Sequence, residues 1–375
     1  MSGKTWSVSR HALVVIAAAF VVAPLTQRDL RAQDDQDAAQ TPGVRLMQVG
    51  SEDKGARYDK SSYRVHILGL NTPKADRHSP LPSGVQRALP SLPSDAQGAL
   101  SSTPIVGPDV QRFESNDFDE PPAISPPGFY PSDLSNPDNG SVLTSAESNP
   151  LYVNCLPGCW DHPSAFLRRL SRSGFIHIID QYAGSTAHRR YKLGQGGQLS
   201  YPVSAPLNED DLLDIVHAGA RALGNKPYHN VFHVFLPKGT DVCLAGGSQC
   251  YSPDNPSTFV FCAFHGSVDF SDFGHVLFTV EPYQDVPGCS VAQPSPNGAL
   301  VDSTASTLSH ELIETITDPD GTAWVARNSL VAYGEEVADL CVTPFGQYGK
   351  VLVGGKHYAI QPEYSNKLHG CVVRP

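Results

Sequence analysis

All eight cysteines of this 375-residue chain (Cys155, Cys159, Cys243, Cys250, Cys262, Cys289, Cys341 and Cys371) lie in its last 221 residues. Any cross-linked, folded part must therefore be there, and an even set of thiols fits an oxidising compartment. Four bridges allow 105 connectivities. Cys155–Cys159 and Cys243–Cys250 are close enough in sequence for local loops, and Cys341–Cys371 would pin the C-terminal tail. That last bridge would stabilise the fold by roughly 3–4 kcal/mol and hold the acidic segment before Cys341 in place. Cys155 and Cys159 with His162 imitate a metal site, but the secretory context favours the disulfide.

Upstream of the cysteines the composition changes. Lys4 and Arg10 precede an apolar run from Ala12 to Ala23, which reads as a secretory signal over residues 1–32. Residues 33–139 are dense in Pro, Ser, Asp and Gly, as in Pro121-Pro-Ala-Ile-Ser-Pro-Pro127. Such a segment cannot bury enough apolar surface to offset chain entropy, and reads as a disordered linker or pro-segment. Tyr63-Arg-Val-His-Ile-Leu-Gly-Leu70 is the exception and reads as one strand. The globular domain is expected over residues 140–375.

Within that domain apolar runs alternate with helical patterns. Leu151–Val153, Phe175–Ile179, Val231–Leu236, Thr258–Phe264 and Val276–Val280 read as strands. Helices are expected over Pro163–Ser173, over Asn208–Leu223 behind an Asn-Glu-Asp-Asp start, and over Tyr333–Leu340. Val351–Val353 and His357–Gln361 read as a hairpin across Gly354-Gly355. The alternation predicts a single α/β (or α+β) domain, a mixed sheet flanked by helices.

Chemistry concentrates in Ser309-His-Glu-Leu-Ile-Glu-Thr-Ile-Thr-Asp-Pro319. Ala305, Leu308, Leu312, Ile313 and Ile316 form one apolar helical face, with Asp302 or Ser303 as N-cap and Pro319 stopping the helix at about Thr317. His310 and Glu314 are four residues apart and share the opposite side. Glu311/Glu314 and Glu314/Asp318 are like-charge pairs, each unfavourable by roughly 0.2–0.5 kcal/mol. A divalent cation would reverse that penalty, since metal-site free energies are on the order of 10 kcal/mol. His310 and Glu314 are thus the expected ligands, with Glu311 free to act as general base on a metal-bound water. Gly334-Glu-Glu-Val-Ala-Asp-Leu-Cys341 offers a third ligand, either Glu336 through its i,i+3 pairing with Asp339 or Glu335 through the Glu-x-x-x-Asp spacing, with Asp318 and Asp339 as supporting carboxylates. Zinc is the first expectation. The carboxylate at position 314, where a zincin has His, shifts preference toward calcium or manganese.

Charge narrows the partners. Between Lys238 and Arg327 there is no Lys or Arg, while the span carries eleven acids. A net charge of −11 makes nucleic acid and anionic membrane surfaces poor partners. Neither Gly246-Gly-Ser248 nor Gly194-Gln-Gly-Gly197 has the surroundings of a nucleophile elbow or a phosphate loop.

Three segments resemble the plant phosphate-induced, EXORDIUM-like family of secreted proteins and its microbial relatives. They are Gly140–Thr144 with Phe166–Leu170 and Phe175–Gly184, then Val234–Cys243 with Phe261–Gly266, and finally Ser309–Glu314 with Thr317–Pro319, Ala323-Trp324 and Glu336–Cys341. The resemblance covers most of residues 140–375. It implies an extracellular or cell-wall-associated protein, with an extracellular protein, peptide or glycan as partner and no settled enzymatic activity. The family motif also has the His-Glu-x-x-Glu form, and its Glu-x-x-Asp-Leu-Cys favours Glu336 over Glu335 as third ligand. A metal-dependent hydrolase and a non-catalytic interaction protein with a structural metal are both open on this reading.

Overall fold

The structure is a computed structural model. It describes residues 44–69, 130–184, 190–203, 205–291, 295–329, 332–342 and 349–375. The signal reading and most of the Pro-rich segment lie outside the described residues.

One eight-stranded mixed sheet organises the chain. Its strands are β1 (Arg45–Gln48), β2 (Tyr58–Gly69), β3 (Ala146–Val153), β4 (Tyr191–Leu193), β5 (Gly197–Ser200), β6 (Asn230–Phe235), β7 (Phe261–Phe270) and β8 (Gly274–Glu281). Their spatial order is β1-β5-β3-β6-β8-β7-β2, with β4 paired to β3 off this path. The pairings from β1 through β8 are parallel, whereas β7 is antiparallel to both β8 and β2. Every residue of β6 is buried, as a central strand covered on both faces requires.

Two apolar layers follow from the alternation along β6. Val231 and Phe235 join the core around helix α3 (Ala299–Thr317) and helix α1 (Pro163–Leu170). Phe232 and Val234 join the other core, around helix α2 (Glu209–Leu223). Helix α2 starts where its sequence says it should. Asn208 accepts from the Asp211 N–H, and the Asp211 carboxylate accepts from the Asn208 N–H. A hairpin of Gly349–Val353 with Lys356–Ile360, then a strand pair of Glu363–Ser365 with Gly370–Val372, complete the C-terminal side.

Four disulfides join Cys155–Cys159, Cys243–Cys250, Cys262–Cys289 and Cys341–Cys371. They include the two local loops and the tail anchor expected from spacing. Among the described residues no helix is long and apolar enough to cross a membrane.

Several expectations need correction. The segment read as a linker contributes β1 and β2 to opposite edges of the sheet, so the globular body begins well before residue 140. The strand expected over Tyr63–Leu70 is real and longer than its hydrophobic pattern suggested. Phe175–Ile179 is a 3-10 helix running into a helical turn at Asp180–Ala183, because a short apolar run does not carry its own period. Tyr333–Leu340 is not a helix. Gly334 has a φ of 81°, and the main chain of Gly334 and Glu335 bonds to Ala326 instead. Helix α3 begins at Ala299 behind Gly298, which leaves Asp302 and Ser303 inside it, and ends at Thr317 as expected.

Candidate metal centre

Helix α3 is buried on all sides from Asp302 to Thr317, so its polar side faces protein rather than water. That side meets one row of residues running across the sheet. His66 of β2 lies opposite His265 of β7, His265 opposite Thr279 of β8, and Thr279 opposite His233 of β6. His66 and His265 stack with ring centroids 5.6 Å apart. The third wall is the loop carrying Glu336 and Asp339, which leads into the turn Asp339–Cys341. That loop is held by the Cys341–Cys371 bridge, by the Asp339 N–H donating to Glu314 Oε1 (3.0 Å), and by Gln361 Nε2 donating to the Ala338 carbonyl (2.9 Å).

Donor atoms of seven side chains converge between these walls. His310 Nε2 is 3.0 Å from Glu314 Oε2 and 3.7 Å from Asp339 Oδ1. His66 is 2.6 Å from Asp339 Oδ2 through Nε2 and 2.9 Å from Glu336 Oε1 through Nδ1. His265 Nδ1 is 3.4 Å from Glu311 Oε2 and 3.6 Å from Glu314 Oε2, while its Nε2 is 3.7 Å from Glu336 Oε2. Three donor groups, His66/Glu314/Asp339, His265/Glu314/Glu336 and His310/Glu311/Glu314, each fall within 4.8 Å and share Glu314. Together they form a seven-residue cluster that could hold a metal ion.

Burial leaves the carboxylates of the cluster with little compensating charge. Glu311, Glu314 and Glu336 are fully buried, as are the adjoining Glu281 and Glu363. Among the described residues, each ion-pair partner of Glu311, Glu314, Glu336 and Asp339 is a histidine. Among the described residues, both oxygens of Glu311, Glu336 and Glu363 and one oxygen of Glu314 have no well-aligned hydrogen-bond partner, the short His66–Glu336 and His310–Glu314 approaches included. A buried carboxylate without a counter-charge takes up a proton instead. Burial, then the Glu314 charge, pushes Glu311 well above the carboxylate range, and burial does the same to Glu336 and Glu363. Burial lifts Glu281 to about 8. Asp339 goes the other way, since His66 outweighs its burial and holds it low. His265 is pushed down to about 3 by burial and by His66 and His310 and stays neutral, whereas Glu336 and Asp339 outweigh burial to raise His66, and Glu314 does the same to His310.

The residues expected from sequence do meet. His310, Glu311, Glu314 and Glu336 lie in the cluster, and Asp339 is a donor within it rather than only a support. Asp318 accepts the N–H groups of Thr322 (2.6 Å) and Ala323 (2.7 Å), closing the turn after α3, and burial raises it to about 6. Sequence reasoning does not place His66, which sits in the segment read as a linker, or His265 in the site, since the local signal for each is only a histidine inside a strand-like run. His275 lies outside the cluster and pairs with Asp269 and Asp320. No protein-family model, curated protein or solved structure matches this chain.

Proposed function

We propose that this chain is a secreted, metal-dependent hydrolase with a zincin-like helix, acting on an extracellular or cell-wall peptide or protein. The observation that carries the reading is the pairing on α3 of a ligand set, His310 and Glu314, with a carboxylate surplus to it. Glu311 is fully buried, has no hydrogen-bond partner among the described residues and lies next to the same donors. His310, Glu314 and Asp339, with Glu336, His265 and His66 adjoining, would hold a divalent ion. Zinc is preferred, with manganese or calcium favoured by each added carboxylate. Such an ion supplies Lewis acidity and a water that ionises near neutral pH. Glu311 would take that proton and pass it to the leaving group, while His265 orients Glu311 across the 3.4 Å contact. Four disulfides support an oxidising, extracellular setting, and the resemblance to the EXORDIUM-like family supports the same location.

A second reading has its own observation. Only His66, with a side chain 17% exposed, and Asp339, at 11%, reach toward solvent, and closed sites are the mark of structural metals. The two readings part on Glu311→Gln. Catalysis requires that this variant lose turnover by a factor of at least about 100 while metal content and melting temperature hold. Wild-type protein that carries metal but cleaves no extracellular peptide or protein, and unfolds on chelation, supports the structural reading and ends the hydrolase one.

A further inference from the structure

Asp339 presents its two oxygens to opposite sides. Oδ1 faces His310 at 3.7 Å, and Oδ2 faces His66 at 2.6 Å. Glu336 is split in the same way, with Oε1 toward His66 at 2.9 Å and Oε2 toward His265 at 3.7 Å. Glu314 Oε2 stands between His310 at 3.0 Å and His265 at 3.6 Å. A single tetrahedral ion uses four donors. Here three imidazoles and four carboxylates are assembled, and the donor groups are distinct sets that overlap only at Glu314.

Resting on the metal-centre reading above, we infer that the cluster is binuclear. One divalent cation lies between His310, Glu314 and Asp339. A second lies between His66, His265 and Glu336, with Glu314, common to all three donor groups, and Asp339 shared between the two. Two-metal sites hold their ions about 3.5–4 Å apart through shared carboxylates, which is the arrangement that divided oxygens on one carboxylate serve. The buried oxygens of Glu311 and Glu336 have no hydrogen-bond partner among the described residues, which bring only histidines near them. The second ion also explains why a histidine from residues 58–69 is carried to the far edge of the sheet and set directly opposite His265.

Metal stoichiometry tests this on the full secreted chain. The purified protein is stripped with a chelator, reloaded with Zn2+ or Mn2+ alone, desalted and measured by elemental analysis, and the manganese form is examined by electron paramagnetic resonance. Two ions per chain and the spectrum of an exchange-coupled manganese pair are expected. His66→Ala should retain one ion and show an uncoupled manganese signal, and His66→Gln should do the same if the alanine variant folds poorly. One ion per chain in the wild type, with no coupling, overturns the inference and leaves a mononuclear centre standing. No bound ion overturns both. Two ions retained in both His66 variants would remove His66 from the second site and refute the assignment.

Discussion

Replacing both Cys341 and Cys371 by alanine removes the cross-link between the Asp339–Cys341 turn and the strand Gly370–Val372. The sequence separation is 30, so loop-closure entropy gives a loss of about 3.6 kcal/mol at 25 °C. The Cys155–Cys159 bridge, with a separation of 4, gives about 1.9 kcal/mol by the same relation and serves as an internal control. For a domain of this size the longer bridge corresponds to a fall in melting temperature of about 7–14 °C. A second effect is specific to its position. Glu336 and Asp339 come from the segment that Cys341 anchors, so its loss should weaken metal binding by about 10–100-fold, the usual cost of releasing a ligand's support. The assay is urea unfolding of metal-free protein, read by fluorescence, together with Zn2+ titration of each double variant. Equal destabilisation by the two bridges would refute the entropic reasoning, and unchanged Zn2+ affinity without Cys341–Cys371 would refute the positional argument.

Two further outcomes follow from the same geometry. Gly266→Ala should lift β2 from β7, because a Cβ at that position would stand 2.3 Å from the Arg64 carbonyl oxygen. The expected loss is about 1–3 kcal/mol, with faster amide exchange across residues 58–69 and release of the ion at His66; unchanged exchange there would count against it. Asp53 is fully buried, and its hydrogen bonds from Arg221 and His217 outweigh burial to hold its carboxyl below the ordinary 3.8. A depressed folded-state value gives stability that is present above pH 3.8 and lost as the pH falls below it. Asp53→Asn should therefore cost about 1.5–3 kcal/mol at pH 7 and progressively less as the pH falls below 3.8. A gap between wild type and variant that persists undiminished in urea midpoints at pH 3 would refute this assignment.

What could be read from sequence was local. The stop at Thr317 follows from Pro319 two residues on, the start of α2 from the Asn208–Asp211 box, and the adjacency of His310 and Glu314 from a spacing of four on one helix. Short cysteine separations likewise singled out the bridges at Cys155–Cys159 and Cys243–Cys250. Each of these depends on bonds or contacts within a few residues, where the chain has few conformations to choose among. The site as a whole is not of that kind. Strand alternation says which residues share a face but is silent on which strand lies beside which, so nothing in Tyr58–Gly69 announces β7 as its neighbour. Whether Glu311 is solvated or buried also depends on what covers α3, and it is tertiary packing that closes both the sheet and the Glu336–Asp339 loop over it. The helix supplied half of the donor cluster by its own periodicity; His66 and His265 complete it only because distant strands pair.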